Sequence, residues 1–302
     1  MVEAIKIGLI GAGVFAGYHA NKLTEHDRVT FTGVYDPDED RAKTVSNKHD
    51  VPVLSAEDLL DVSDAVVIAC SAVHHGEMVV RALHYGCHCL VEKPLSTSLE
   101  ATEDILALSD QKNLIVQIGH QERMVLKAIG LYKVEERPIR IEAVRYSPYS
   151  VRGTDTSVTM DLMTHDIDLC TALMGVAPNQ IRGESRLVRS TTPDMAFGIL
   201  QYNDTVARLS ASRVEAVSER WMTLTYPTGE VHIDFNAKTL TNTTRFALNE
   251  KFGEDDIAKD SLAAATDVFV KAILDGTPVL VSAAEGAIAV RAAIAIDEGR
   301  EV

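Results

Sequence analysis

The sequence predicts an α/β protein of two domains, a parallel sheet with helices on both faces over residues 1–122 and an α+β domain with an open, mostly antiparallel sheet over residues 123–302. Three observations predict this. The chain of 302 residues is long enough for two hydrophobic cores. Apolar strand patterns alternate with helical patterns in the first part of the chain. In the second part, strand patterns follow one another across short turns.

The first domain has the alternation that is typical of a parallel sheet. Each short apolar run is followed by a segment with helical periodicity, so consecutive strands are joined by crossover helices. The predicted strands lie at 4–10, 29–35, 65–70, 88–92 and 115–118, and the predicted helices at 18–25, 41–49, 76–85 and 99–112.

The second domain is mostly strand. Asn203-Asp204 and Thr228-Gly229 supply turn residues between neighbouring strands. One helix, 160–174, interrupts the strands, and helices at 262–274 and 283–298 end the chain; the acidic residues 254–256 are predicted to form a solvated loop. The predicted strands lie at 139–146, 181–189, 195–202, 205–213, 221–226, 230–235 and 238–243.

Composition and charge exclude several classes of function. With 46% hydrophobic and 24% charged residues the chain is predicted to be globular. The net charge of −15 argues against binding to nucleic acids or to anionic membranes, both of which require an excess of Lys and Arg. No stretch approaches the roughly 20 apolar residues that span a bilayer. The first strand begins almost at Met1, so no signal peptide is expected.

The four cysteines, Cys70, Cys87, Cys89 and Cys170, contain no C-x-x-C pair. We predict that they are reduced thiols in a cytoplasmic protein. Cys87 and Cys89 share one face of a strand while His88 points to the other, so no zinc site is expected there.

A glycine motif follows the first strand. The run Gly11-Ala12-Gly13-Val14-Phe15-Ala16 fits the pattern G-x-G-x-x-G/A, in which glycines allow a tight turn and close approach to a pyrophosphate. The helix that follows attracts the phosphates to its N-terminus. The run therefore predicts a dinucleotide site in a Rossmann domain.

Asp36 ends the second strand, 23 residues beyond Gly13. At this position a carboxylate accepts hydrogen bonds from the adenosine ribose and repels a 2′-phosphate. Asp38, Glu39 and Asp40 add negative charge, so NAD is favoured over NADP. Alternatively, Asp36 only begins an Asp36-Pro37 turn.

Two further segments carry residues that can move a proton. Asp161, His165 and Asp168 fall at i, i+4 and i+7 on one helix face, where a carboxylate can fix the tautomer of the imidazole. Lys93 follows a strand at the sheet edge where open α/β sheets bind ligands. Considered alone, Asp161 and His165 have an alternative interpretation as a surface Asp–His pair. Lys93 has an alternative interpretation as an ordinary surface lysine.

The run Ala69-Cys70-Ser71-Ala72-Val73-His74-His75, continuing to Glu92-Lys93-Pro94-Leu95, resembles the Gfo/Idh/MocA oxidoreductase family. The family motif D-x-x-x-H is met by Asp161 and His165. The resemblance implies an NAD-dependent enzyme with a cis Lys93-Pro94 bond, and it assigns Lys93 and His165 to proton handling with Asp161 orienting the histidine. It implies cofactor contacts for Ser71, His75 and Glu92, although a packing role is equally open for His75, and Glu92 has the alternative of supporting Lys93. Cys70-Ser71-Ala72 replaces the more usual T-P-N.

The runs Gly119-His120-Gln121-Glu122-Arg123 and Met160 to Asp168 are similar to the branch of that family that contains UDP-N-acetylglucosamine 3-dehydrogenases. Met124-Val125-Leu126 replaces the usual F-N-P. The resemblance implies oxidation of a sugar hydroxyl, C3 of UDP-N-acetylglucosamine. His120, Arg123 and Asp168 are the expected substrate contacts, but Arg123 has the alternative of pairing with Glu122.

Two other functions remain open on the sequence. One is a dehydrogenase of a free sugar, an inositol or another cyclic polyol. The other is a regulator that senses a ligand on the same fold without turnover. The open sheet of the second domain is expected to bury its bare face in a homodimer or homotetramer.

Overall fold

The computed structural model describes residues 3–301. Contacts divide the chain into two compact units. The first comprises the residues up to His120 together with Leu262–Ala287, and the second comprises Gln121–Ser261 together with the residues from Ile288 onward. The predicted boundary at residue 122 lies two residues beyond the end of the first segment, and residues 262–287, which were assigned to the second domain, group with the first unit.

Both units contain one sheet. The strands are β1 (Ile5–Ile10), β2 (Val29–Tyr35), β3 (Ala65–Ile68), β4 (His88–Val91), β5 (Val116–Ile118), β6 (Arg140–Tyr146), β7 (Gln180–Arg186), β8 (Met195–Tyr202), β9 (Thr205–Ser212), β10 (Glu219–Tyr226), β11 (Gly229–Asp234) and β12 (Thr239–Asn242).

Helices flank the strands in both units. They are α1 (Val14–Glu25), α2 (Glu39–His49), α3 (Ala56–Val62), α4 (His75–His84), α5 (Leu99–Lys112), α6 (Glu122–Ile129), α7 (Thr164–Met174), α8 (Asp256–Lys259), α9 (Ser261–Asp275) and α10 (Ala283–Asp297).

The first unit is built on a five-stranded parallel sheet with the strand order β2-β1-β3-β4-β5. The chain leaves β1 towards β2 on one side and later returns to β3 on the other. The strand order therefore reverses between β1 and β3, and ligands of open α/β sheets bind outside the carboxyl ends of the strands at such a point.

Helix α9 belongs to the first unit because it packs on the core of that unit. Phe269 and Val270 of α9 lie in the same buried cluster as Leu9 of β1 and Leu23 of α1. The buried amide of Gln117 on β5 donates to the Ala265 carbonyl at 2.9 Å. Burial of this apolar face explains why a segment near the end of the chain groups with the first unit.

The second unit is built on a seven-stranded sheet with the order β12-β11-β10-β6-β9-β8-β7. Only the β6–β9 pair is parallel, so the predicted open, mostly antiparallel sheet is confirmed. Burial alternates along the strands. On β8, Ala196 and Leu200 are buried, whereas Met195 and Phe197 on the other face are 38% and 42% exposed.

Several local predictions need correction. Helices α3 and α6 were not predicted. Residues 254–256 are not simply a loop, because a 3₁₀ turn over Phe252–Glu254 precedes α8, and the Asp255 carboxylate accepts the Ile257 N–H at 2.9 Å. The predicted helix 160–174 is present, but its first turn, Thr159–Met163, is a π-helix.

Within residues 3–301, no helix combines the length and the apolar character needed to cross a bilayer. Cys70, Cys87, Cys89 and Cys170 are free cysteines. The same described residues contain no cluster of three or more His, Cys, Asp or Glu side chains that could hold a metal ion.

Candidate active site

The glycine motif forms a tight turn between β1 and α1. Gly11 has φ +103°, and a Cβ there would lie 2.7 Å from the Ala69 carbonyl group and the Cys70 nitrogen. Gly13 has an extended backbone, and nothing lies within 4 Å of the position that its Cβ would take. Val14 and Phe15 are the first residues of α1, whose N–H groups have no partner within a helix, and the open space at Gly13 beside them suits a phosphate.

Asp36 follows β2 and is tied to this glycine turn. Its Oδ2 accepts the Ala12 N–H at 2.6 Å, and its Oδ1 accepts the Asp38 N–H at 2.9 Å. Each carboxylate oxygen can accept a second hydrogen bond, and Asp36 is partly exposed. The open space at Gly13 and this carboxylate fit a dinucleotide with a free 2′-hydroxyl, which is NAD.

Lys93 follows β4 and is partly buried. The peptide bond between Lys93 and Pro94 is cis, as the resemblance implied. His75, at the start of α4, lies beside this segment: its Nδ1 is 2.7 Å from the Pro94 carbonyl oxygen and its Nε2 is 3.2 Å from that of Cys70. The His75 ring thereby joins the segments that follow β3 and β4.

His75 is only 2% exposed, and burial lowers its pKa, so the ring is neutral at pH 7. A neutral imidazole has one N–H, and the shorter contact favours donation from Nδ1 to Pro94. These contacts support the packing role that was the alternative for His75. Its contact with the cofactor stays a prediction.

Glu92 is buried. Its Oε1 is 2.7 Å from Nε2 of His19 on α1. Ser71 is exposed and accepts the His74 N–H at 2.9 Å, which opens the turn before α4. Burial raises the pKa of the neighbouring Cys70 thiol to about 11, so this thiol is protonated at neutral pH.

In the second unit, His165 and Asp161 lie on either side of the junction between the π-turn and α7. His165 is in the first turn of α7, and its side chain is 17% exposed. Asp161 lies in the π-turn, and its Oδ2 is 2.5 Å from the position of a Cβ on Gly153. Gly153 has φ +80°, so the loop backbone can lie directly against this carboxylate only with glycine there.

The Glu122 carboxylate approaches His165. Nδ1 of His165 is 3.0 Å from Oε1 of Glu122, the first residue of α6. Arg145 donates to both Glu122 oxygens, at 3.2 and 2.8 Å, and to both Asp166 oxygens, at 2.7 and 2.9 Å. Arg220 also contacts Glu122 Oε1. We call Glu122, Arg145, His165, Asp166 and Arg220 the Glu122 cluster.

The sheet register explains the Glu122 cluster. Arg145 on β6 and Arg220 on β10 are directly paired across the two strands. Both follow the alternation of the buried residues on their strands, so their side chains are on the covered face. Burial lowers the pKa of Arg220 to about 10, which still leaves it protonated at neutral pH. The two guanidinium groups balance the two carboxylates in formal charge.

Arg123 and Asp168, both predicted to bind substrate, pair with each other. Arg123 Nε donates to Oδ2 at 2.9 Å and Nη2 donates to Oδ1 at 2.7 Å, and the two side chains are only 6% and 1% exposed. Arg123 and Asp168 therefore form a buried, bidentate ion pair with each other. His120 is likewise only 1% exposed. Substrate contacts by these three residues stay predictions.

The sequence reasoning did not identify Glu122, Arg145, Asp166 or Arg220 as site residues. Glu122 and Asp166 stand inside quoted motifs, so a signal for them existed. Arg145 and Arg220 are 75 residues apart and meet only through strand register, which spacing along the chain does not reveal.

Comparisons with known proteins agree with this architecture. Residues 5–120 match the model of the Gfo/Idh/MocA family, described as an oxidoreductase family with an NAD-binding Rossmann fold. Over 97% of its length the chain is 30% identical to the UDP-N-acetylglucosamine 3-dehydrogenase of Acidithiobacillus ferrooxidans, of which it covers 96%. A crystal structure of that protein, GnnA, superimposes with a TM-score of 0.89, covering 98% of both chains at 29% identity.

More distant relatives share the fold. The scyllo-inositol 2-dehydrogenase (NAD⁺) of Bacillus subtilis is 25% identical, with 63% of this chain and 60% of that protein aligned. GenD2 from gentamicin A biosynthesis, solved in complex with NAD, has a TM-score of 0.84 at 20% identity, covering 100% of this chain and 97% of GenD2. The near-complete match at 30% identity establishes the family. The chain belongs to the Gfo/Idh/MocA oxidoreductases, and residues 5–120 are their NAD-binding Rossmann domain.

Proposed function

We propose that this oxidoreductase oxidises the C3 hydroxyl of UDP-N-acetylglucosamine to a 3-keto sugar nucleotide. The observation that carries the proposal is the 30% identity to a UDP-N-acetylglucosamine 3-dehydrogenase over 97% of the chain. The retained Glu92-Lys93-Pro94 segment, Asp161 and His165 support chemistry rather than ligand sensing, since a sensor has no need of proton-transfer groups.

The reaction removes a hydride from the sugar carbon and a proton from its hydroxyl group. NAD, when bound, accepts the hydride. We propose Gly11, Gly13, Val14, Phe15, Asp36, Ser71, His75 and Glu92 as the residues that hold NAD. Asp36 accepts hydrogen bonds from a ribose, and the start of α1 takes the pyrophosphate.

Lys93 and His165 handle the proton in this proposal. A cationic lysine stabilises the developing alkoxide, and a neutral histidine takes the proton as general base; the reverse assignment uses the same two groups. Asp161 assists His165. His120, Arg123 and Asp168 are the proposed substrate-binding residues. Arg123 and Asp168 act there as a buried ion pair.

The proposal extends to assembly and location. The open face of the second sheet carries the exposed apolar side chains of Met195 and Phe197, and it is the proposed interface of a homodimer or homotetramer. Sedimentation of the wild-type protein and of Phe197→Glu tests this, because a charge in that interface lowers the oligomer mass. The cytoplasm is the proposed location, in keeping with four free cysteines.

The test is NADH formation at 340 nm with UDP-N-acetylglucosamine, myo-inositol, scyllo-inositol and glucose 6-phosphate in parallel. A 3-keto-sugar aminotransferase draws the first reaction forward. We expect turnover with the sugar nucleotide alone, and its loss in Lys93→Ala and His165→Ala. Turnover with another substrate and none with the sugar nucleotide contradicts the proposal.

Oxidation of a cyclic polyol is the second candidate. Its support is the similarity to scyllo-inositol 2-dehydrogenase, which is both lower and shorter than the similarity to the sugar-nucleotide enzyme. Turnover with an inositol in the same assay favours this candidate. NAD binding without turnover on any substrate favours a sensor.

A further inference from the structure

We infer that Thr164 and Asp297 are positioning residues for the proposed reaction. Both hold the π-turn Thr159–Met163, and this turn sets the place of Asp161 relative to His165. The inference rests on the proposed function, in which Asp161 and His165 serve the proton transfer. It adds to the site a hydroxyl group next to His165 in the sequence and a carboxylate at the far end of α10.

The Thr164 side chain replaces a backbone hydrogen bond at the end of the π-turn. In an α-helix the Thr164 N–H would donate to the Met160 carbonyl, four residues back. Here that N–H reaches the Thr159 carbonyl, five residues back. The Thr164 hydroxyl donates to the Met160 carbonyl instead, at 2.8 Å. Thr164 and Met160 are both buried, so this hydroxyl stabilises the wide turn relative to an α-helical one.

The Asp297 carboxylate holds the start of the same turn. The hydroxyl groups of Ser157 and Thr159 donate to its two oxygens, that of Thr159 at 2.6 Å. Ser157 in turn accepts two backbone N–H groups, that of Met160 at its Oγ at 3.1 Å and that of Asp161 at its carbonyl at 2.9 Å. The end of α10 therefore fixes the backbone that carries Asp161.

The width of the turn decides how Asp161 and His165 are placed. Asp161 lies within the π-turn and His165 follows it, so their side chains differ in direction from a pair spaced four residues apart on an α-helix. The Asp161 carboxylate lies against the Gly153 backbone, and a change of the turn moves it from there. Because a misplacement of about 1 Å can cost about 100-fold in rate, residues that hold the turn affect catalysis.

Thr164→Val tests the end of the turn. Valine keeps the shape of threonine and removes the hydroxyl group that serves the Met160 carbonyl. We expect kcat with UDP-N-acetylglucosamine to fall at least about tenfold while KM changes less than about twofold, because the affected groups act on the proton in the transition state. Thr164→Ser keeps a hydroxyl group and restores most of kcat.

Thr171→Val is the matched control. Thr171 lies on the same helix, α7, is buried, and has its Oγ1 3.1 Å from the Tyr202 hydroxyl oxygen. The change removes a buried hydroxyl group from α7 and leaves the π-turn intact, so we expect kcat to stay within about twofold of the wild type. If Thr171→Val lowers kcat as much as Thr164→Val does, the loss reflects damage to α7 in general, and the positioning role of Thr164 is wrong.

Asp297→Asn tests the start of the turn. It leaves one oxygen for the two hydroxyl groups, and we expect kcat to fall at least about threefold with little change in KM. Glu298→Gln, at the exposed neighbouring position, leaves kcat unchanged. Since both residues hold one turn, the double variant Thr164→Val/Asp297→Asn loses less than the product of the single losses. In a crystal structure of the double variant we expect the N–H of residue 164 to donate to the Met160 carbonyl.

The outcomes separate this inference from the proposed function. No turnover of UDP-N-acetylglucosamine by the wild type, or wild-type activity in His165→Ala, overturns the proposed function, and the crystal structure of the double variant then still tests whether the two residues hold the turn. Activity that is lost in His165→Ala but unchanged in folded Thr164→Val overturns the inference, as does a π-turn that persists in the double variant. If Thr164→Val does not fold, the kcat of Asp297→Asn decides.

Discussion

Nε2 of His19 lies 2.7 Å from Oε1 of Glu92, and both side chains are buried. The contact connects α1, which begins at the glycine turn, with the residue that precedes Lys93. A Cβ on Gly119 would come 2.7 Å from the same Glu92 oxygen, so Glu92 is also closely packed against the end of β5. Glu92 therefore joins α1, the Lys93 segment and the end of β5.

Glu92→Ala tests this support. The change removes the partner of His19 and leaves a buried polar group and a cavity, so we expect a loss of about 1–3 kcal/mol in the free energy of unfolding. Urea unfolding followed by circular dichroism measures it. Glu77→Ala, an exposed glutamate of α4, is the control and changes stability by less than about 0.5 kcal/mol. Equal losses in the two variants contradict the structural role of Glu92.

Gly13→Ala separates folding from cofactor binding. Gly13 has an extended backbone and open space around its Cβ position, so alanine costs less than about 1 kcal/mol in stability. The methyl group occupies the space expected for a pyrophosphate, and we expect the Kd for NAD to rise at least about tenfold. Calorimetric titration measures the Kd, and thermal unfolding measures the stability.

Gly17→Ala is the matched control for that change. Gly17 also has nothing within 4 Å of its Cβ position, but it lies one turn further along α1. Alanine in a helix stabilises by about 0.5–1 kcal/mol relative to glycine and leaves the phosphate end of α1 unchanged. An equal loss of NAD affinity in both variants would place the pyrophosphate elsewhere.

Asp36→Ser tests the preference for NAD. Serine removes the charge that repels a 2′-phosphate and weakens the hydrogen bond from the Ala12 N–H. We expect weaker NAD binding and a ratio of NADP to NAD dissociation constants that falls at least about tenfold. Calorimetry with both cofactors gives the ratio. Asp40→Asn removes one charge from the exposed start of α2 and serves as the control. If the ratio falls as much in Asp40→Asn as in Asp36→Ser, the preference for NAD comes from the overall negative charge and not from Asp36.

A buried ion pair in the second unit fixes two loops. Arg213 Nε donates to Asp194 Oδ1 at 2.8 Å, and the two side chains are 4% and 0% exposed. Arg213 Nη1 also donates to the carbonyl oxygens of Gly153 and Thr156. We expect Arg213→Met to cost about 3–5 kcal/mol, because it leaves the Asp194 carboxylate buried without its cation. Arg208→Met, on the exposed side of β9, costs less than about 1 kcal/mol.

The pH dependence of this pair has a defined sign. Burial raises the pKa of Asp194, but hydrogen bonds from the Ser190 and Arg189 N–H groups and from Arg213 outweigh burial and hold that pKa well below its usual value. The contribution to stability is therefore full above about pH 4, the unfolded-state pKa, and is lost as pH falls through the folded-state pKa. Unfolding between pH 5 and 8 should show a constant difference between Arg213→Met and the wild type. A difference that vanishes within this range contradicts the assignment.

The sequence predicted the parts of the fold that have a regular local pattern. Val29–Tyr35, Leu99–Lys112 and Met195–Tyr202 have the predicted bounds, because the spacing of apolar residues and flanking turns decide them locally. The seven-residue helix Ala56–Val62 is too short for its periodicity to stand out. The sequence does contain a serine, Ser55, at the N-cap of this helix. Its Oγ accepts the Asp58 N–H at 3.0 Å.

The candidate site was predicted only where its residues lie in motifs. The glycine turn, Asp36 and the cis Lys93-Pro94 bond were identified in this way. The contact between His165 and Glu122 was not, because 43 residues separate them and strand pairing brings Arg145 and Arg220 to the same carboxylate. The π-turn before His165 was also missed, since a single wide turn leaves no repeat in the sequence.

The central claim, hydride removal from C3 of UDP-N-acetylglucosamine, is tested most directly with substrate that carries deuterium at C3. After one turnover with NAD, mass spectrometry and proton spectra locate the label. The account predicts NADH with deuterium at nicotinamide C4 and a 3-keto sugar nucleotide without it. If the NADH carries no deuterium, the enzyme oxidises a carbon other than C3. If no NADH forms while NAD still binds, UDP-N-acetylglucosamine is not the substrate.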